Sequence, residues 1–199
     1  SDQLYGESGG DLLDGGTGDD HLTGGADNDV LYGAHGNDVM AGDEGDDQLF
    51  GDSGDDLLDG GSGLDYMAGG AGDDVFVFDF ADLAAAGTRW FGQEGSDTVK
   101  FGIGQVLDLT ALGDDRITGV DVIDLTVDGP NATVLTASDV RALSDSATLR
   151  IAGTTEDNAT AHGAWSQLAD VQIGADLYHA YTVDGATLLM DADVNLTLA

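Results

Sequence analysis

The sequence has no cysteine, a single proline and only five basic side chains among its 199 residues. The absence of cysteine excludes a disulfide framework and a thiolate metal site. The 39 acidic side chains give a formal charge of −34. This charge excludes nucleic acid and anionic membrane surfaces as natural partners, since both reward Lys and Arg, and it favours bound cations. No apolar run approaches the ~18 residues of a transmembrane helix, so we expect no membrane insertion.

Acidic residues and glycines are spread unevenly along the chain. Residues 1–77 hold 20 acidic side chains, 20 glycines and no Lys or Arg. Residues 78–199 hold 19 acidic side chains, all five basic ones and 12 glycines. We therefore predict two domains, 1–77 and 78–199. The chain begins at Ser1, within the pattern described next and without a basic-plus-apolar leader, and we expect it to be a piece of a longer protein.

A nine-residue repeat explains the composition of the first part. Eight units run without a gap from Gly6 to Val77, with glycine at position one, aspartate at position six and a large apolar residue at position eight. So strict a period predicts stacked repeats that bury a shared core. Glycine lets backbone carbonyls converge on an ion, and Ca²⁺ prefers carbonyl and carboxylate oxygens. Without calcium, so acidic and glycine-rich a segment is expected to be disordered.

The repeat resembles a known family. Units such as GGTGDDHLT, Gly15 to Thr23, are similar to the GGxGxDxUx nonapeptide of RTX (repeats-in-toxin) proteins, where U is a large apolar residue. The resemblance implies an all-β fold, a right-handed parallel β-roll or β-solenoid, with two nonapeptides in each coil. It also implies that each six-residue turn binds Ca²⁺ and that the other three residues form a short strand.

The resemblance further implies calcium sites between turns 18 residues apart. The expected carboxylate ligands are Asp11, Asp20, Asp29, Asp38, Asp47, Asp56, Asp65 and Asp74. Successive members of each ladder pair as 11/29, 20/38, 29/47, 38/56, 47/65 and 56/74, which gives about six ions, and Asp2/Asp20 is a partial seventh site. The expected carbonyl ligands are those of Gly15, Gly24, Gly33, Gly42, Gly51, Thr17, Ala26, His35, Glu44 and Ser53.

Some units depart from glycine where the turn needs it. Position two is Glu7, Ala34, Asp43 or Asp52 in half of the units, and position four of the third unit is Asp27. Because a side chain restricts the backbone there, the site that uses the turn of Asp27 is the least expected of the six.

The second part predicts a mostly β C-terminal capping domain. The alternating Phe76, Phe78 and Phe80 are expected to end the roll, with a short helical turn over Ala81 to Gly87. Trp90 and Phe91 are interpreted as cap packing rather than as a ligand platform. Short β-prone runs follow after Gly95.

Two local signals in the second part are specific. Thr136 is a plausible N-cap with Asp139 three residues on, which predicts a short helix through Leu143. The dipeptide Asp184-Gly185 predicts a hairpin with a type I′ turn.

Other stretches resemble exported proteins. GVDVIDLT and YTVDGATLLMD are similar to C-terminal regions of large type I-secreted RTX proteins, including giant bacterial adhesins, and residues 151–199 contain no Lys or Arg. This resemblance implies a secretion signal read by the type I machinery, a secreted, extracellular or cell-surface location in bacteria, and an upstream passenger domain.

Motifs for catalysis are set aside. GESGG, Gly6 to Gly10, fits G-x-S-x-G but lies in register with the repeat. DADVN, Asp191 to Asn195, copies the start of an EF-hand loop, yet Leu196 replaces its glycine. Carboxylate pairs such as Asp46/Asp47 recur in most turns, whereas a catalytic pair is singular. The four histidines have no zinc spacing, and His21 and His35 are expected to be exposed.

We therefore expect a calcium-binding module without enzyme activity of its own. Two alternatives stay open: an adhesive or self-associating domain on an RTX stalk, and the non-catalytic tail of a secreted hydrolase.

Overall fold

The computed structural model describes residues 1–78, 88–101, 106–111, 116–126, 131–144, 146–154 and 156–199. The chain forms two compact units, Ser1–Val99 and Lys100–Ala199. Among the described residues, none of the helices has the length and apolar character needed to span a membrane.

The first unit is built from short strands that alternate between two sheets. The strands are β1 (Gln3–Ser8), β2 (Leu12–Asp14), β3 (His21–Ala26), β4 (Val30–His35), β5 (Val39–Glu44), β6 (Gln48–Ser53), β7 (Leu57–Asp59), β8 (Tyr66–Ala71), β9 (Val75–Phe78), β10 (Arg89–Glu94) and β11 (Asp97–Phe101). One sheet has the order β1-β3-β5-β7-β9-β11 and the other the order β2-β4-β6-β8-β10.

Neighbouring strands of each sheet are parallel and 18 residues apart over the repeats. Leu4 pairs with Leu22, and Leu22 pairs with Met40. Leu13 pairs with Leu31 in the opposite sheet. Each coil therefore contains two nonapeptides, one strand in each sheet, and the predicted parallel β-roll is confirmed.

The core of the first unit is the set of position-eight side chains. Strands β3, β4, β5, β6 and β8 have six residues, where the resemblance implied three, because they continue into the first three positions of the next unit. In a strand, successive side chains point to opposite faces, so position eight faces inward. Leu22, Leu31, Leu49, Leu58 and Met67 have 0% of their surface exposed. Burying one such side chain contributes about 1.5–3 kcal/mol, so the repeated apolar position holds the two sheets together.

Both sheets continue beyond the strict repeat, which differs from the expectation that the roll ends at residues 74–80. Strand β10 pairs in parallel with β8, and Trp90 lies opposite Met67. Trp90 is fully buried and stacks on Phe76 with 6.4 Å between ring centroids, so it extends the core, as the packing interpretation predicted. The composition changes near Phe78, but residues 88–99 belong to the first compact unit, and the functional division at residue 78 stays a prediction.

The second unit is also mostly β. Its strands are β12 (Val106–Asp108), β13 (Ile117–Thr118), β14 (Val120–Asp124), β15 (Ala132–Thr136), β16 (Thr148–Ala152), β17 (Asn158–His162), β18 (Ser166–Gln167), β19 (Val171–Ile173), β20 (Asp176–Val183), β21 (Ala186–Asp191) and β22 (Asn195–Leu198). One sheet has the order β12-β15-β17-β22, all parallel. The other has the order β14-β16-β21-β20-β18, in which β20 is antiparallel to its neighbours and also pairs with β19.

Both local predictions for the second unit are confirmed. The helix α1 (Ala137–Leu143) has Thr136 as its N-cap, and Asp139 completes a capping box. Strands β20 and β21 form the hairpin, and Asp184 and Gly185 have φ values of 47° and 82°, as a type I′ turn requires. The helical turn expected over Ala81 to Gly87 lies outside the described residues, as do the side chains of Phe78 and Phe80.

Candidate metal centre

The position-six aspartates lie at the start of the strands and are buried. Asp20, Asp29, Asp38, Asp47, Asp56, Asp65 and Asp74 have at most 3% of their surface exposed, and Asp11 is half-buried. Their position follows from the chain path, because the glycine-rich turn ends at position six and the next residue enters a sheet. The turns thus place a row of carboxylates along each side of the roll.

From Asp20 to Asp74, one carboxylate oxygen of each position-six aspartate accepts a hydrogen bond in a ladder along the roll. The backbone N–H of Asp29 donates to Oδ1 of Asp47 over 2.8 Å, and the N–H of Asp47 donates to Oδ1 of Asp65 over 2.9 Å. The same bond, 2.5 to 2.9 Å long, joins the pairs 2/20, 11/29, 20/38, 38/56 and 56/74. The structure therefore brings together every carboxylate pair that the 18-residue spacing predicts.

The other carboxylate oxygen accepts no hydrogen bond from the part of the chain that the structure describes. Oδ2 is buried and accepts no hydrogen bond from the described residues in Asp11, Asp20, Asp29, Asp38, Asp47, Asp56, Asp65 and Asp74. A buried, unpaired carboxylate oxygen is costly unless a cation or a proton compensates it. Its repetition in eight consecutive turns indicates a shared requirement rather than a local defect.

The position-one glycines leave space beside these oxygens. A Cβ atom on Gly15 would lie 2.9 Å from Oδ2 of Asp20 and 3.0 Å from the carbonyl oxygen of Gly33, one coil further on. A Cβ on Gly33 would meet Oδ2 of Asp38 at 2.5 Å and the carbonyl oxygen of Gly51 at 3.0 Å. A carboxylate oxygen and a carbonyl oxygen of the next coil therefore converge beside these glycines, in a cradle that any side chain would fill, and the same two oxygens lie beside Gly6, Gly24, Gly42 and Gly51.

Most of the predicted carbonyl ligands lie at the ends of strands β3 to β6, just before the chain turns. The carbonyls of Ala26, His35 and Ser53 accept the N–H of Gly9, Gly18 and Gly36 over 2.7 to 3.1 Å. Thr17 forms a parallel bridge with His35, and Glu44 forms one with Ser62. Gly24, Gly42 and Gly51 have the same close approach to a carboxylate as Gly15 and Gly33.

The turns keep one conformation even where glycine is replaced. Asp27 has φ of 76°, and the position-two residues Glu7, Ala34, Asp43 and Asp52 have φ of 69° to 74°. A left-handed non-glycine residue costs about 1–2 kcal/mol. These replacements strain the backbone but preserve the direction of the carbonyls, including those of the turn that contains Asp27.

A second ladder runs along the outside of the turns at position five. Oδ1 of Asp19 accepts the N–H of Asn37 over 3.0 Å, and Oδ1 of Asn37 accepts the N–H of Asp55 over 3.1 Å. Asparagine and aspartate serve equally here, and these side chains are exposed. Position five also holds Gly10 and Leu64, so it requires neither a charge nor an acceptor, whereas position six is aspartate in every unit.

Burial raises the pKa of several position-six aspartates. Loss of hydration is the main cause and neighbouring carboxylates add to it, while the ladder hydrogen bond opposes the shift. The pKa is raised to about 6 for Asp56 and Asp65 and to about 7 for Asp74. The pKa values of Asp38 and Asp47 are raised by the same causes. Asp56, Asp65 and Asp74 therefore bind protons near neutral pH when no other cation compensates their charge.

The donor set fits a hard cation that accepts backbone oxygens. Nowhere among the described residues do three or more His, Asp or Glu side chains converge into a metal cluster. Each site instead combines carboxylates of two successive coils with carbonyls of the turns. Ca²⁺ takes six to eight oxygen ligands and accepts such mixed, irregular sets, so the residues present fit calcium.

Sequence reasoning missed one member of the carboxylate ladder. The N–H of Asp74 donates to Oδ1 of Asp97 over 2.9 Å, across 23 residues instead of 18. The available signal was GQEGSDTVK, Gly92 to Lys100, which has glycine at positions one and four, aspartate at six and valine at eight. Residues 78–91 interrupt the register before this unit, which is why a search for an unbroken period passes over it.

Other residues singled out by sequence have ordinary surroundings. His21 and His35 are exposed, as predicted. Ser8 is exposed at the end of β1, in a parallel strand rather than in a strand-turn-helix elbow.

The comparisons with known proteins agree with this geometry. Three overlapping stretches match the family model named RTX calcium-binding nonapeptide repeat (4 copies), namely residues 5–40, 14–49 and 41–76. Among curated proteins, no sequence matches the chain.

Proposed function

We propose, from the premise that residues 5–76 are RTX calcium-binding nonapeptide repeats, that the first unit is a folding switch that forms its β-roll when it meets extracellular calcium. The observation that carries the proposal is the row of buried Oδ2 atoms that accept no hydrogen bond from the described residues. A cation bound at each of these atoms offsets the free-energy cost of burying the carboxylate charge in the folded state.

The proposed sites lie between successive coils of the two ladders. Six full sites use the carboxylate pairs 11/29, 20/38, 29/47, 38/56, 47/65 and 56/74, which the ladder bonds bring together. The pair Asp2/Asp20 forms a partial site at the first coil. Carbonyls at positions one and three, including those of Gly33 and His35, complete the oxygen ligands.

Calcium couples to folding because the sites exist only in the stacked state. Strands of one sheet lie about 4.8 Å apart, and two like charges at that distance repel by roughly 3 kcal/mol at an effective dielectric constant of ~20. At low free calcium this repulsion keeps the repeats extended. At roughly millimolar extracellular calcium, sites with Kd of ~10⁻⁴–10⁻³ M fill, and their binding free energy becomes folding free energy.

The same switch suits export. An extended, calcium-free chain threads a secretion channel, and folding outside the cell prevents its return. We therefore propose that the chain belongs to a protein exported by the type I machinery to the bacterial surface or medium. The resemblance of the C-terminal stretches to exported proteins and the absence of Lys and Arg from residues 151–199 support this proposal.

Calcium titration of the purified chain tests the folding switch. Far-UV circular dichroism should show a cooperative coil-to-β transition, chelator should reverse it, and calorimetry should give about six or seven ions per chain. Magnesium at the same concentration serves as the control, since it demands near-ideal octahedral geometry and retains its water. Full β structure in chelator without calcium uptake would refute the proposal.

A further inference from the structure

The segment after the strict repeats has the anatomy of one more calcium turn. Gly92 to Asp97 reads GQEGSD, which differs from a repeat turn mainly at position two. Residues 92–97 lie beyond the part of the chain that matches the family, which ends at residue 76. Whether the turn can hold an ion depends on its register, its backbone and its oxygens.

The register of this turn is that of the repeats. Gln93 lies opposite Gly70 and Glu94 lies opposite Ala71 in the parallel pairing of β10 with β8. The N–H of Gly72 donates to the carbonyl of Glu94 over 2.8 Å. The bond from Gly54 to the carbonyl of Ala71, also 2.8 Å long, is its counterpart one coil earlier. The interruption therefore adds chain length without shifting the alignment of the turn.

The backbone of the turn is that of a calcium turn as well. Gln93 has φ of 78° and Gly95 has φ of 141°, and the corresponding Gly70 and Gly72 have φ of 116° and 135°. A Cβ on Gly95 would clash with the carbonyl oxygen of Gly72, as a Cβ on Gly72 would clash with that of Gly54. Glycine is retained at position four because the coils approach too closely for a side chain.

The carboxylate oxygens of this turn also resemble those of the repeats. Asp97 is fully buried, and its Oδ1 accepts the N–H of Asp74. Asp74 is also fully buried, its Oδ2 accepts no hydrogen bond from the described residues, and that oxygen is the nearest atom to a Cβ built on Gly69. The turn therefore repeats the carboxylate side of the cradle found at the repeat sites.

The opposite ladder behaves differently at the same level. The N–H of Arg89 donates to the carbonyl of Asp65 over 2.9 Å, and Thr88 precedes Arg89. Thr88 therefore stands where a position-six aspartate would continue this ladder, and it brings no carboxylate. Among the described residues, the two sides of the roll thus end differently, with a carboxylate pair on the side of Asp74 and Asp97 and a threonine on the other.

We infer that Asp74 and Asp97 hold a further Ca²⁺ ion, a full site between the last strict repeat and the degenerate turn 92–97. The inference rests on the proposed calcium binding of the repeats and adds one ion to it. This ion fastens the segment after the interruption to the last repeat, so calcium orders residues 88–99 together with the repeats.

Calorimetric ion counts on the full chain test the site. Asp97→Asn keeps an oxygen for the N–H of Asp74 but removes the charge, and we expect one ion fewer than in the unchanged chain. The matched control is Asp73→Asn, which removes one exposed charge next to the site and keeps an acceptor for the N–H of Ser96. We expect the control to bind as many ions as the unchanged chain.

The outcomes separate the two proposals. If the unchanged chain takes up no calcium, the proposed function fails. If it binds calcium and D97N binds the same number of ions, only the Asp74/Asp97 site is refuted. Where D97N shows no β signal in saturating calcium, anomalous diffraction from crystals of the unchanged chain decides. A calcium peak between Asp74 and Asp97 supports the site, and its absence beside peaks at the repeats overturns it.

Discussion

At the scale of the residue, the two carboxylate oxygens of a position-six aspartate have different roles. Its Oδ1 holds the N–H of the preceding coil, and its Oδ2 lies buried beside a glycine cradle. Leaving a buried acceptor unsatisfied costs about 1–3 kcal/mol, and more for a charged group. Asparagine would keep the ladder bond and lose the charge. Aspartate occupies position six in every unit, whereas position five holds Asp, Asn, Gly or Leu, and the proposed cation accounts for this difference.

Asp47 tests this division, because its ladder bonds link it to both Asp29 and Asp65. Replacing Asp47 by Asn should lower the calorimetric ion count by two and raise the calcium midpoint of folding. The matched control is Asp46→Asn, an exposed position-five residue whose Oδ1 accepts the N–H of Leu64. We expect that control to leave the count unchanged. A D47N chain with unaltered count and midpoint would refute the shared-ligand arrangement.

At the scale of the element, the sequence predicted the strands that recur at a fixed spacing and missed those that do not. The strict period predicted stacked repeats with an apolar position eight, and the resemblance implied the strands and the carboxylate pairs, because each depends on residues at fixed spacing. Strand β10 and Asp97 were missed, since residues 78–91 break that spacing. The parallel sheet β12-β15-β17-β22 was missed for the same reason, as Ala132 pairs with Asn158 and Asn158 with Asn195 at unequal intervals.

The second unit shows the ladder bond without the need for a cation. The N–H of Asn131 donates to Oδ1 of the fully buried Asp157 over 2.9 Å. Oδ2 of Asp157 accepts the N–H and the hydroxyl of Thr154 over 2.6 and 2.9 Å. Both carboxylate oxygens are therefore satisfied by protein donors. The contrast with Asp47 shows that the bare Oδ2 belongs to the repeats and not to every carboxylate at a strand start.

Strand β10 closes the apolar core of the first unit through Trp90. Replacing Trp90 by Ala should lower the free energy of unfolding in saturating calcium by about 3–5 kcal/mol, because it leaves a cavity beside Phe76. Urea denaturation followed by circular dichroism measures this change. The control is Phe91→Ala. The ring of Phe91 is half-buried, with its centroid 5.4 Å from that of Tyr66, so we expect a smaller decrease in the free energy of unfolding. Equal effects of the two changes would contradict the role of Trp90 in the core.

At the scale of the whole molecule, charge governs the calcium-free state. The formal charge of −34 includes the buried position-six carboxylates, and calcium and protons are alternative ways to neutralise them. Composition alone predicted the need for cations. It did not predict which carboxylates are buried, because that depends on stacking. The raised pKa values therefore result from burial in the folded state and could not be predicted from composition.

The calcium-free fold should consequently gain stability in acid. The pKa of Asp74 is raised from its ordinary value of 3.8 to about 7, and those of Asp56 and Asp65 to about 6. Because the folded state binds these protons more tightly than the unfolded state, the stabilisation is complete below pH 3.8 and is lost as pH rises through about 6 to 7. Calcium-depleted protein should show more β signal and a higher urea midpoint at pH 4.5 than at pH 8. With calcium added, the calcium concentration that half-fills the sites should rise as pH falls, since protons compete for the same oxygens. A calcium-free chain that loses β signal on acidification would contradict buried carboxylates as the element that calcium neutralises.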